Sequence, residues 1–147
     1  MKILFFASML LAAWLPVSTK QADQNSTTFE TITSAPWNQV QSLRLENGQY
    51  VDIALPCELN DMWTFNPDST IIISDVAEFC RPDIGQFDIN GKWVLFDNDS
   101  KLAFALSNGF TIEALHVVAV NPNRLVLDYI NLASPTAPAT ERVVLER

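Results

Sequence analysis

Two cysteines, one histidine and one short acidic run are the residues of this 147-residue chain whose types invite a chemical reading. His116 has no second histidine beside which to bind zinc in a conventional site. A Ser-His-Asp triad would need a nucleophile elbow, and the chain contains none. Asp97-Asn98-Asp99-Ser100 imitates the opening of a calcium loop but lacks its glycine and distal glutamate. The run reads as a solvated hairpin turn, and His116 as a partly buried strand residue. Gly48, Gly85, Gly91 and Gly109 stand singly at turns or strand starts, so no phosphate-binding loop is present. These residues predict neither an enzyme nor a metal or cofactor site.

Binding chemistry is a different matter. Trp63, Phe65, Trp93, Leu95, Leu102, Phe104, Leu127 and Tyr129 fall on one apolar phase of their segments. Aromatic rings with a polar tip suit an apolar ligand with one polar end. The same side chains would equally well fill a core, and the elements that carry them bear on which role they play.

The chain is long enough for one domain. Met1-Lys2 supplies a positive charge, and Ile3 to Leu15 is apolar apart from Ser8. Pro16-Val17-Ser18-Thr19 follows, so residues 1–19 read as a secretory signal peptide, too short for a comfortable membrane span. Residues 20–34 are polar and aperiodic and read as a flexible leader; residues 35–147 form the domain. Export to a periplasm or the exterior permits disulfides, so Cys57 and Cys80 are expected to pair, with two buried thiols as the alternative. The formal net charge is −8, and loss of Lys2 with the signal makes the mature chain more acidic still. Such a surface repels phosphate backbones and anionic lipid, which argues against nucleic acid and membrane partners.

From Trp37 onward, strand signals recur every eight to twelve residues. Trp37–Leu45 and Gln49–Ala54 flank Asn47-Gly48; Trp63–Phe65 and Thr70–Ile73 flank Asn66-Pro67-Asp68-Ser69. Asp75–Asn90 is the longest irregular stretch. Gly91–Asp97, Lys101–Leu106, Phe110–Val120, Arg124–Leu132 and Thr140–Glu146 complete the series. The apolar phase slips near Ala114 and Leu115, which predicts a bulge. Strands joined by such short turns run antiparallel. Eight of them in succession predict an all-β, up-and-down barrel in which the last strand returns to the first and removes the exposed edges.

Cys57-x3-Asp61-x3-Phe65-Asn66-x-Asp68, Cys80, Gly91-x-Trp93-x-Leu95 and Leu125-Val126-Leu127 together resemble the small bacterial exported lipocalin-like domains. The resemblance covers Trp37 to Leu132 and implies a signal peptide, a short eight-stranded barrel and a cysteine pair flanking the second hairpin. Two positions depart from the pattern. Ala35-Pro36 precedes Trp37 where classical lipocalins open with Gly-x-Trp, and Ser69 stands where the hairpin turn usually has glycine. Closure of eight strands and the inward apolar phase suggest binding of a small hydrophobic molecule, with Trp63, Phe65, Trp93, Leu95, Phe104, Leu127 and Tyr129 as the expected lining, and the resemblance adds to that reading. The other reading is a solid-cored envelope or secreted module that meets another protein through its surface, including the Asp75–Asn90 loop.

Overall fold

Alternating side chains and left-handed turns give the chain its shape in the computed structural model, which describes residues 27–59, 61–74, 88–109, 111–132 and 138–147. Residues 1–19, expected to be a signal peptide, residues 20–26 and Cys80 lie outside the described residues. β1 (Trp37–Glu46) turns through Asn47 and Gly48, at φ 49° and 82°, into β2 (Gln49–Asp52). Two successive left-handed residues make the tight turn whose twist suits an antiparallel pair. β3 (Met62–Phe65), β4 (Thr70–Ser74), β5 (Asp88–Phe96), β6 (Lys101–Leu106), β7 (Thr111–Asn121), β8 (Arg124–Asn131) and β9 (Ala139–Glu146) follow.

Each strand from β3 to β9 pairs antiparallel with the next, and β9 returns to β1 with Ser42 opposite Val143 and Arg44 opposite Glu141. The barrel is closed. β9 covers one edge of β1 from Asn38 to Arg44. The other edge is shared: β2 pairs with Leu43–Glu46, and β3 with Trp37 and Asn38. β2 and β3 therefore occupy one position in the wall, and nine strands close an eight-position barrel.

The expected bulge is present. Leu102 faces Leu115 and Phe104 faces Ile112, so β7 gains one residue against β6. A second shift between Val117 and Ala119 does the same against β8. β5 begins at Asp88, earlier than Gly91, with Asp88, Ile89 and Asn90 opposite Ser74, Ile73 and Ile72. The polar Asp88 and Asn90 concealed that extension; pairing to an isoleucine-rich neighbour supplies it.

Outside the wall, Thr27–Thr33 forms a helix, α1, where the polar composition predicts a flexible leader. Seven residues are too few to display a helical period or to be stable alone. Tertiary contacts hold it. Phe29 and Ile32, three apart, share one face and are buried; the Phe29 ring stacks on Trp93 at 5.5 Å. Trp37 Nε1 donates to the Ile32 carbonyl at 2.9 Å. Arg147 lies over the Trp37 ring at 3.6 Å and donates to the Thr31 and Ala35 carbonyls at 2.8 and 3.0 Å. α1 and Arg147 thus seal the end of the barrel where β1 begins.

At the other edge of the sheet the β1–β2 hairpin is pinned to the outer wall. Arg142 grips Asp128 through two bonds of 2.6 and 2.9 Å and lies 4.1 Å above the Tyr50 ring, whose hydroxyl donates to Asp128 at 3.1 Å.

Two positions set opposite demands on backbone and space. Ser69 sits at φ 65°, in the left-handed region that favours glycine. A Cβ on Gly91 would lie 2.4 Å from the Ala105 carbonyl oxygen and 2.9 Å from Leu106 Cδ2, so β5 and β6 approach closely only because Gly91 has none. Ser69→Gly is expected to raise stability by about 0.5–1 kcal/mol, and Gly91→Ala to lower it by about 3 kcal/mol. Urea titration of both variants reads this contrast; a neutral Gly91→Ala would contradict the close approach of β5 and β6.

Candidate functional site

An acid stands among the inward-facing residues of β9. Glu141, Val143 and Leu145 alternate with Arg142, Val144 and Glu146, of which Val144 is also buried, and Glu141 is only 3% exposed. An isolated carboxylate at such a site would be costly, but the neighbouring strands bring four donors to it. From β1, Arg44 donates through Nε at 3.0 Å and Nη2 at 2.8 Å to Oε1. From β8, the Tyr129 hydroxyl donates to Oε2 at 2.7 Å and Asn131 Nδ2 to the same oxygen at 3.1 Å. Barrel closure makes this possible: Glu141 faces Arg44 across one seam and Tyr129 across the other. The cluster lies toward the end of the barrel away from α1. Ser42, also buried, continues it along β1.

Burial alone pushes the Glu141 carboxyl upward, but bonds from Tyr129, Arg44 and Asn131, with the Arg44 charge, outweigh it and hold it below the ordinary 4.5. Burial, and then the bond to Glu141, push Tyr129 far above the usual tyrosine range, so its hydroxyl stays a neutral donor. A carboxylate that accepts four donors has no free lone pair with which to take a substrate proton. The cluster positions groups; it does not supply a general base.

The lining residues predicted from the sequence converge. Trp63, Phe65, Trp93, Leu95, Leu102, Phe104 and Leu127 are all buried in one cluster, with Tyr129 packed against it. Phe65 meets Trp93 edge-on at 5.2 Å, and Trp63 meets Phe104 edge-on at 5.7 Å. Toward α1 these rings fill the barrel by packing on one another. Tyr129 differs from the rest because its polar tip belongs to the Glu141 cluster.

Cys57 lies in the turn between β2 and β3, half-buried, and its expected partner Cys80 lies outside the described residues. His116, expected to be partly buried, is exposed: β7 turns it outward, between Lys101 and Asp128 in register. The Asp97–Ser100 run is a turn, with Asp97, Asn98 and Asp99 all at positive φ. The Asp97 carboxylate takes the Lys101 ammonium at 2.8 Å, and that bond holds its pKa below the usual value. Among the described residues no three histidine, cysteine or acidic side chains converge on a metal-sized space, and no helix is long and apolar enough to cross a membrane. Arg44, Asn131 and Glu141 were not singled out from the sequence. The available signal was a charge in phase with Val143 and Leu145. Compared with known proteins, the chain matches no family model and no curated sequence.

Because the folded pKa of Glu141 is depressed, its contribution to stability is full above the unfolded value and is lost as pH falls through the folded one. Unfolding free energy is therefore expected to fall below about pH 4.5, and Glu141→Gln to flatten that part of the profile. Glu141→Leu, which strands Arg44, is expected to cost about 3 kcal/mol at neutral pH. Urea titrations from pH 3 to 7 check both; an unchanged acid limb in Glu141→Gln would contradict the assignment.

Proposed function

We propose that this is an exported lipocalin-like barrel that binds a small, largely apolar molecule. One observation carries the reading: a closed antiparallel wall, sealed at one end by α1, directs its aromatic side chains inward and the buried Glu141 cluster toward the other end. Closed eight-stranded walls of this size either fill with side chains or hold one small ligand. The aromatic lining supplies apolar contact, and Tyr129 and Arg44 supply polar edges near the far end.

Export by a signal peptide over residues 1–19 belongs to the same reading, and so does a Cys57–Cys80 disulfide. Its support is topological. Met62 pairs with Ser74, so the segments carrying the two cysteines leave adjacent strands at the same end of the barrel. Closing a loop with 22 residues between the sulfurs would contribute about 3 kcal/mol on the chain-entropy model. Non-reducing mass spectrometry after alkylation is expected to show both cysteines protected, and dithiothreitol to lower the urea midpoint. Two alkylated thiols in protein from the native compartment would remove the pairing.

A specific observation favours the solid-cored alternative. The rings toward α1 are interlocked, and two shallow grooves of about 490 and 400 Å³ lie on the outer wall of β4–β7, where Ala103 and Ala105 leave room beside Lys92 and Val94. A module of that kind would meet a protein and no small ligand. Titration with neutral apolar probes separates the two. Binding is expected to quench or shift tryptophan fluorescence with a saturable isotherm, whereas a silent panel with unchanged thermal midpoint would favour the solid module.

A further inference from the structure

Three tryptophans face the interior, and their indole nitrogens are treated differently. Trp37 Nε1 donates to the Ile32 carbonyl at 2.9 Å, and Trp93 Nε1 to the Asn66 carbonyl at 3.1 Å. Trp63 is 7% exposed, and its Nε1 is fully buried with no hydrogen-bond partner among the described residues. A buried donor left without an acceptor costs about 1–3 kcal/mol, and native structures rarely leave one so. Phenylalanine would give the same edge-on contact with Phe104 at no such cost. The indole N–H is therefore a polar group to which the described residues bring no acceptor.

Charge narrows what that acceptor belongs to. Among the described residues the charged group fully inside the wall is Glu141, and the neighbouring guanidinium, Arg44, is spent on it through two bonds. Asp61, two residues before Trp63 on β3's approach, also has a fully buried carboxyl oxygen, so the described interior holds acidic oxygens and no uncommitted cation. A ligand carboxylate entering this interior would find no free cation to pair with and would meet negative charge.

We propose that the ligand is an uncharged apolar molecule bearing a hydrogen-bond acceptor, a carbonyl or ether oxygen, and that this oxygen takes the Trp63 indole N–H. The proposal rests on the binding reading above and assigns Trp63 as its polarity-selecting residue.

The test compares decane, 2-decanone and decanoate by calorimetry and by displacement of the neutral dye N-phenyl-1-naphthylamine. The full mature protein is expected to bind 2-decanone about tenfold more tightly than decane, the worth of one buried hydrogen bond, and decanoate most weakly. In Trp63→Phe the preference for the ketone over decane is expected to disappear while decane binding stays. The ¹⁵N-labelled wild-type protein gives an independent readout: the Trp63 indole N–H resonance moves downfield with 2-decanone and not with decane. Equal binding of ketone and decane, tightest binding of decanoate, or a ketone preference that survives in Trp63→Phe would each overturn the assignment while leaving a binding barrel. Failure of all three probes to bind would remove the binding reading itself.

Discussion

β1 must satisfy three neighbours at once, and the rest of the molecule follows from that. One edge takes β9 along most of its length; the other takes β2 at the far end and β3 at the near end. Without the β9 pairing, both strands would present open edges, the usual route to association between chains. Without the shared edge, the first hairpin could not continue into the wall. Closure also decides what the interior can contain, because it brings β8, β9 and β1 side by side, and only there can Arg44, Tyr129 and Asn131 reach the same carboxylate.

The Glu141 cluster is a costly way to fill space. A buried ion pair commonly does no better for stability than well-packed apolar residues, because two charges must leave water. Its value lies in specificity of register. A shift of β9 by one residue along β1 would send Glu141 to solvent and Val144 inward, leaving Arg44 without its partner. The outer face repeats the logic one strand over, with Asp128–Arg142 and Arg124–Glu146 directly opposite on β8 and β9, so charge specifies the register of β9 against both of its neighbours. The closed end is fixed differently, by apolar burial of Phe29 and Ile32 and by the cation of Arg147 lying on Trp37.

Much of the wall was legible in the residues. Period-two alternation in Lys101–Leu106 and Arg124–Leu132, together with Asn-Gly and Asn-Pro turns, sufficed for an antiparallel barrel, and the phase slip near Ala114 and Leu115 for the bulge. What failed to show had physical causes. α1 is too short to carry a period, and its stability comes from partners far along the chain. β5 begins among polar residues whose strand character is supplied by β4. Ser69 could be flagged only as a departure from the turn of the domains the sequence resembles; its φ of 65° lies in the left-handed region that favours glycine. Glu141 was hidden because a charged residue in a terminal strand reads as solvent-facing until its phase is compared with Val143 and Leu145. Closure turned that single inward charge into a four-residue constellation, and no local pattern announces such an event.

Interstrand proton contacts in isotopically labelled protein test the closed wall most directly. Nuclear Overhauser effects should link Ser42 with Val143 and Arg44 with Glu141, with slow amide exchange along both facing strands. Rapid exchange along β1 and β9, with no contacts between them, would show an open sheet and contradict the account at its root.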